Sequence, residues 1–139
     1  MDNINFYLLV KSFWEKYEMP HDEVPSYLSD DEYVLRLNHM DEELREFAQA
    51  ASIGDMVGMA DALCDLVYVT IGTAVRMGIP FDTCFNAVHW ANMKKVKVSG
   101  AHESKRNDPH DVIKPKDFVG PEAELERILV EAVDARTQH

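Results

Sequence analysis

The sequence predicts an all-α fold, in which helices pack as a bundle, on three observations. Apolar residues recur at helical spacing along most of the 139-residue chain, and capping residues and prolines separate these segments. No two segments show the paired alternation that is typical of strands. The hydrophobic fraction of 46% predicts a packed core, and this length predicts one domain over residues 1–139.

The first two helices are predicted from their apolar stripes and from the residues that bound them. Residues 3–18 carry apolar side chains three and four positions apart, and Pro20 follows this segment. Ser29 and Glu32 form the pattern of a capping box, in which two side chains satisfy the free N–H groups of a first turn. We therefore expect a second helix over 29–52.

The third helix is predicted over 56–77, which contains the longest apolar run of the chain. Asp55 suits the N-cap position, because its carboxylate can accept from the first-turn N–H groups. Gly78 suits the left-handed position after the last turn, and Pro80 prevents continuation.

The remaining chain is predicted to hold two further helices around a long loop. Asp82 is expected to cap a fourth helix over 83–98, with the alternating "KVKV" segment as its end. Residues 99–120 are polar and lack periodicity, so we expect a flexible loop of the kind that often carries function. A C-terminal helix over 121–136 begins at a proline, which is favoured in a first turn.

Composition limits the classes of function. The net charge of −11 argues against a nucleic-acid-binding surface, although a divalent cation could still bring a nucleotide to an acidic site. The first residues lack the basic and apolar segments of a signal peptide or a membrane span. Cys64 and Cys84 show no pairing or zinc-binding pattern, so we expect reduced core cysteines and a cytoplasmic location.

Two acidic groups stand out on neighbouring helices. Glu46 lies three positions after Glu43 and four positions after Glu42, so the three glutamates share one side of the second helix. Asp61 and Asp65 share a face of the third helix, where nearly every neighbour is apolar. A helix that is apolar all round is normally buried, and buried carboxylates need a compensating charge.

That charge could come from basic side chains or from a metal ion. Arg45 alone cannot neutralise five acids, and Arg76 lies nearly three turns beyond Asp65. The short link between helices makes them antiparallel neighbours and brings the two acidic groups to matching heights. Hard oxygen ligands favour Mg²⁺, or Mn²⁺ in its place. Solvated glutamates and salt-bridged aspartates are the alternative interpretation.

The acidic motifs, in their order along the chain, resemble those of the all-α nucleoside triphosphate pyrophosphohydrolases. The likeness runs through "DEELREF", "GDMVGMADALCDLVYVTIGTAVRMGIP", "VHWANMKK" and "VIKP", over roughly residues 30–120. It is strongest to the MazG-like subgroup that includes phosphoribosyl-ATP pyrophosphohydrolase. The resemblance implies a MazG-like helical bundle.

The resemblance also implies hydrolysis between the α and β phosphates of a nucleotide, which releases a monophosphate and pyrophosphate. Carried over by position, Glu43, Glu46 and Asp65 would be metal ligands, and Glu42 the base that activates water. The second motif of the family is most often E-x-x-D, but Ala62 stands three positions before Asp65 here. Asp61, four positions before, would be a direct or a water-mediated ligand.

Four further residues are expected to bind substrate by the same resemblance. Asn92 and Lys95 match the substrate-contacting N-x-x-K motif, and Lys114 of "VIKP" would reach the triphosphate. Trp14 is the aromatic side chain expected to stack on the base, because an N-terminal helix covers the pocket in relatives. Aromatic residues at helical spacing are more often core residues, which is the alternative for Trp14.

The expected substrate is a nucleoside triphosphate, with dUTP or dCTP favoured. Phosphoribosyl-ATP is one alternative substrate, and a non-catalytic nucleotide-binding module is an alternative function. The third helix is more apolar than one thin helical layer can bury, which predicts a homodimer or a tetramer built as a dimer of dimers.

Overall fold

A computed structural model describes residues 3–138 and confirms the all-α prediction. Its two compact units comprise the described chain up to Phe81 together with Ala132 onwards, and Asp82–Glu131. Within the described residues the helices are α1 (Phe6–Lys16), α2 (Asp30–Ser52), α3 (Met56–Arg76), α4 (Phe81–Asn92) and α5 (Glu122–Thr137). Two short strands, β1 (Val96–Lys97) and β2 (Val112–Ile113), and a 3₁₀ turn, Ala101–Glu103, complete the elements.

The helix starts of the first unit follow the capping chemistry of the sequence. The Ser29 hydroxyl accepts from the Glu32 N–H, and the Glu32 carboxylate accepts from the Ser29 N–H, so the predicted capping box is confirmed. Asp55 accepts from the Gly58 N–H at 2.9 Å and caps α3 as predicted. α1 is shorter than the predicted 3–18, because Asn5 caps it by accepting from the Leu8 N–H.

Helices α2 and α3 pack against each other along their lengths and run in opposite directions. Near one end, Arg36 donates to the Thr73 hydroxyl and to the Val69 carbonyl, at 2.9 and 2.8 Å. At the other end, a Cβ on Gly58 would lie 3.0 Å from the Cβ of Ala50. This register brings the middle turns of the two helices face to face.

The hydrophobic core of the first unit lies between α1 and α3. Val10, Trp14, Ile71 and Val75 form one buried cluster. Much apolar surface of the same helices stays exposed; Phe6 of α1, for example, is 59% exposed. Cys64, expected in the core, is exposed in α3, and Cys84 is half-buried.

The chain leaves α3 through a tight turn, and the loop between α1 and α2 covers this turn. Gly78 has a φ of +67°, as predicted for the position after the last turn. The Asp22 and Ser26 N–H groups donate to the last carbonyls of α3, those of Arg76 and Met77. These contacts hold the loop before α2 against the end of α3.

The predictions for the start and for the end of the fourth helix were both wrong. α4 begins at Phe81, so Asp82 lies inside its first turn, and it ends at Asn92 rather than at residue 98. The "KVKV" segment instead contains β1, which pairs antiparallel with β2. Alternating valines favour a strand over a helix end once a partner strand exists, and that partner lies far along the chain.

Among the described residues, α3 is the one helix whose length and composition could cross a membrane, and 22% of its apolar window is buried. The core helix of a soluble protein meets the same criterion, so this is weak evidence for a membrane span. α3 packs along α2 and α1 and carries Asp61 and Asp65.

Candidate active site

The candidate active site is centred on Glu43, which α2 directs at the middle of α3. Glu43 is 9% exposed and is the one buried charged side chain among residues 3–138. The antiparallel register places it close to Asp65, whose charge acts on it. Glu42 and Glu46 on the neighbouring positions of α2 act on Glu43 in the same way.

The surroundings of Glu43 disfavour its ionised form. Burial is the largest cause that raises the pKa of Glu43, followed by the charges of Glu46, Asp65 and Glu42. Its Oε2 atom is buried and has no hydrogen-bond partner among the described residues. Such an atom is costly unless a proton or a cation satisfies it.

The arginines of α2 and α3 bind groups other than Glu43. Arg45 pairs with Asp41 at 2.8 Å. Arg76 pairs with Asp22 at 2.9 Å and with Glu32. Over residues 3–138, the one basic group paired with Glu43 is the imidazole of His39, whose Nε2 lies 3.8 Å from Oε1.

Arg36 is also near the interface but binds neutral groups. Besides its bonds to α3, its guanidinium lies 5.5 Å from the centre of the Trp14 ring. Burial lowers the pKa of Arg36. Within residues 3–138, none of the four carboxylates of Glu42, Glu43, Glu46 and Asp65 forms an ion pair with an arginine or a lysine, which the alternative interpretation requires.

The donor set fits a hard divalent cation in its chemistry. A buried carboxylate oxygen without a partner, beside three more carboxylates, is the environment that such an ion would satisfy. In the described part of the chain, no three acidic, histidine or cysteine side chains converge closely enough to hold an ion as they stand. Ligation therefore requires rotation of side chains such as that of Glu46, which is exposed.

Asp61 stands apart from the other acidic residues. Ala62, at the position that carries a glutamate in the E-x-x-D motif, is 2% exposed, whereas Asp61 is exposed one position earlier. The charges that raise the pKa of Glu43 include that of Asp65. The structure thus brings together Glu42, Glu43, Glu46 and Asp65, with Asp61 outside this group.

An open depression on α2 adjoins the acidic group. Its volume is about 420 Å³, and Glu42 and Glu46 belong to its lining. The other lining residues are also polar, namely Asn38, Asp41, Arg45 and Gln49. Water and a polar ligand can therefore reach both glutamates from solvent.

Trp14 lies in the buried cluster between α1 and α3 and is 8% exposed. The Arg36 guanidinium packs against its ring, and Gly72 lies against its indole nitrogen, where an added Cβ would come within 3.0 Å. This placement favours the core alternative for Trp14. Its predicted role in stacking on a base stays a prediction.

The second unit holds the other residues expected to bind substrate. Asn92 is exposed at the last position of α4. Lys95 and Lys114 line one pocket beside the β1–β2 hairpin, together with Lys105 and Arg106, which sequence reasoning missed. The alternation in "KVKV" was the signal that could have revealed this hairpin.

The all-α fold agrees with the class of protein expected from the sequence, an all-α pyrophosphohydrolase. A family model described as phosphoribosyl-ATP pyrophosphohydrolase matches residues 7–92, which is more than half of the chain. The chain belongs to this family. A comparison with curated proteins found no match.

Membership confirms the expected resemblance and the class of reaction. The family is a pyrophosphohydrolase family, so the protein is an acid anhydride hydrolase. Such enzymes are typically metal-dependent, and a nucleotide substrate is consistent with the family. The matched region includes Glu42, Glu43, Glu46, Asp61 and Asp65.

Proposed function

We propose that the protein hydrolyses a nucleotide between its α and β phosphates, releasing pyrophosphate and a nucleoside monophosphate, with Mg²⁺ or Mn²⁺ as its cofactor. The observation that carries this proposal is the acidic group around Glu43. Its buried Oε2 atom has no partner within residues 3–138, and burial, followed by the charges of three further carboxylates, raises the pKa of Glu43. A protein gains little stability from such an arrangement, so a role in ligand binding explains it best.

The family match supports phosphoribosyl-ATP as the first substrate to test. Its description favours this substrate over dUTP and dCTP, which the sequence alone had placed first. Deoxynucleoside triphosphates remain the second candidates, because they present the same triphosphate. The free Cys64 and Cys84 support a reducing, cytoplasmic setting for either substrate.

We assign the cation to Glu43, Glu46 and Asp65, with Asp61 in an outer, water-mediated position. When bound, a divalent cation neutralises phosphate charge and makes water more acidic. Glu43 and Asp65 face each other across the α2–α3 interface, so both helices would contribute ligands. Because several carboxylates titrate together, their protons belong to the group rather than to one residue.

Glu42 is the proposed general base. It is exposed beside the depression, so it can take a proton from a water molecule that reaches the site. The water oxygen attacks the α phosphorus, the bond from that phosphorus to the bridging oxygen breaks, and pyrophosphate leaves with the electron pair. Lys95 would offset phosphate charge, and Asn92 would hydrogen-bond the substrate.

Product analysis in ¹⁸O-labelled water tests this proposal. Incubation with phosphoribosyl-ATP, dUTP or dCTP and Mg²⁺ should yield unlabelled pyrophosphate and labelled monophosphate, because water attacks the α phosphorus. Glu42→Gln should abolish most of the turnover, whereas Glu126→Gln, an exposed position of α5, should retain it. Orthophosphate with a diphosphate would contradict the proposed bond, and binding without turnover would favour the non-catalytic alternative.

A further inference from the structure

A cavity of about 660 Å³ lies between α4 and the start of α5, within the second unit. Small-molecule sites in proteins have volumes of about 300–1,000 Å³, so this cavity is of a suitable size. Ala91 and Ile128 are the buried apolar residues of its lining. Trp90 and Val119 line the same cavity, yet they are 59% and 68% exposed. Large apolar side chains that stay in contact with water around a concave surface are typical of a ligand-binding site.

Three different chemical groups follow one another along the α4 side of this cavity. Asn86 lies four positions before Trp90 and Lys94 lies four positions after it, and all three belong to the lining. Positions four apart on a helix share one face, with about 6 Å between them along the axis. α4 ends at Asn92, but the Lys94 N–H donates to the Ala91 carbonyl at 3.2 Å, which extends the turn to Lys94. The cavity therefore offers an amide, an aromatic ring and an ammonium group in succession.

These three groups are available to a ligand. Over residues 3–138, no hydrogen bond or ion pair engages the Asn86 amide or the Lys94 ammonium group. The ring of Trp90 contacts the ring of His89, with 5.2 Å between their centres and 65° between their planes. Because the two rings are inclined rather than stacked, His89 leaves the indole open to stacking by a ligand.

Glu124 is the acidic residue of the lining in the described part of the chain, and it already has a partner. Arg127 donates to Glu124 at 2.9 Å and to Glu131, which is outside the lining, at 2.6 Å. The hydrogen bond from Arg127 lowers the pKa of Glu124, so this carboxylate stays ionised and paired. Lys94 is then the cation of the lining whose charge is not neutralised.

The cavity is separate from the residues of the second unit that are expected to bind substrate. Asn92 follows Trp90 by two positions, which places it about 200° further around α4. Lys95 lines the pocket beside the β1–β2 hairpin, and neither Asn92 nor Lys95 belongs to the lining of this cavity. A ligand in the cavity would therefore use a different face of α4.

We propose that this cavity, the α4–α5 pocket, binds a nucleoside monophosphate without a metal ion, with its base on Trp90 and its phosphate at Lys94. Aromatic side chains stack on any nucleobase, since every base has a flat π surface. The Asn86 amide can both donate to and accept from the edge of a base, and an ammonium group suits the charged oxygens of a phosphate. A nucleoside monophosphate is the product of the proposed reaction, so the choice of this ligand rests on the proposed function. The chemistry of the pocket itself requires a flat ring that carries an anion.

Titration of AMP into the full chain in EDTA, followed by tryptophan fluorescence and by calorimetry, tests the pocket without metal or turnover. We expect AMP to quench the fluorescence of Trp90, because a stacked base contacts its indole. Adenosine lacks the phosphate and ribose 5-phosphate lacks the base, so each should bind about tenfold more weakly than AMP, or less tightly still. Trp14→Phe should keep the quenching, since Trp14 is buried between α1 and α3.

Substitutions in the lining identify the groups that bind. Trp90→Ala and Lys94→Ala should each weaken AMP binding by about tenfold, whereas Lys94→Ala should leave adenosine binding unchanged. Lys116→Ala removes the same charge from an exposed lysine outside the lining and should bind AMP like the wild type.

Lys95→Ala separates the α4–α5 pocket from the residues expected to bind substrate, and it should also bind AMP like the wild type. Loss of AMP binding in Lys95→Ala, or loss of quenching in Trp14→Phe, would place the nucleotide with those residues and overturn the proposal. Equal affinities in all variants, or no binding to the wild type, would also overturn it. Because no hydrolysis occurs in these measurements, they succeed or fail independently of the proposed function.

Discussion

At the scale of single residues, Glu43 determines what the α2–α3 interface can do. A buried carboxylate surrounded by like charges is unfavourable for folding, yet Glu43 is buried between these two helices. The nearest arginines bind other groups, Arg45 to Asp41 and Arg36 to α3. The interface therefore gives up stability for a concentrated negative charge, as expected of a ligand-binding site.

Glu43→Gln should raise the thermal stability of the protein in a chelating buffer at pH 7, by about 3 °C. The pKa of Glu43 is raised on folding, so the folded state holds its proton more tightly than the unfolded state does. Stability is therefore lost as the pH rises from the ordinary value of 4.5 through the raised folded value. Glutamine carries no charge and can donate to a neighbouring carboxylate.

Thermal unfolding of both proteins from pH 4 to pH 8 measures this effect. The advantage of the variant should disappear below the ordinary pKa, where the wild-type side chain is protonated in both states. A variant that melts below the wild type at pH 7 in chelator would refute an unfavourable charge at Glu43.

Asp65 and Asp61 provide a second, matched comparison. Asp65 faces Glu43, whereas Asp61 is exposed one turn earlier on the same helix. Asp65→Asn should lower kcat/KM by about 100-fold or more, and Asp61→Asn by less than about fivefold. Kinetics across a series of Mg²⁺ and Mn²⁺ concentrations measure both losses. Equal losses would place Asp61 among the direct ligands.

At the scale of elements, the sequence predicted the helices whose signals are local. Ser29, Asp55 and Gly78 mark helix ends through their own backbone or side-chain chemistry, and each lies where it was expected. The short link between α2 and α3 predicted that the acidic residues of α2 approach those of α3, without specifying which residues pair. What the sequence could not reveal was how Asp61 turns outward, because that depends on the rotation of α3 in the packed pair.

The β1–β2 hairpin was not predicted, because its signals are not local. β1 and β2 are two residues each, and their pairing joins distant parts of the chain that carry little strand signal individually. Lys105 and Arg106 line a pocket with Lys95 and Lys114 because of this long-range pairing, so no local pattern marked them. Short strands are stabilised by their partner and by packing, which a single segment does not encode.

Gly78→Ala should destabilise the protein by about 3 kcal/mol, as measured by urea unfolding. Gly78 has a φ of +67°, and an added Cβ would lie 2.4 Å from the carbonyl oxygen of Val24. Gly54→Ala is the matched control, since its φ is +68° but nothing lies within 4 Å of the added Cβ. It should cost only about 1 kcal/mol, the penalty of the left-handed backbone. Equal losses would mean that the Val24 loop yields to the methyl group.

At the scale of the whole molecule, much apolar side-chain surface of the first unit faces solvent. On α1, Phe13 packs edge-on against Tyr68 of α3 at 5.5 Å between ring centres, and both remain more than one third exposed. Val67, the residue before Tyr68 in α3, is 50% exposed. Exposed apolar surface of this extent is typical of a protein interface, and an interface would explain why α3 is so apolar along its length.

We therefore expect a homodimer, or a dimer of dimers, in which this face of α1 and α3 is covered by a second copy of the chain. Light scattering after size-exclusion chromatography should give at least twice the monomer mass of 15.9 kDa at micromolar concentration. Val67→Glu places a charge in the face and should shift the mass towards the monomer. Val119→Glu alters a valine of the second unit that is 68% exposed, and should leave the mass unchanged. A monomeric wild type, or equal dissociation by both substitutions, would mean that this face is not the subunit contact.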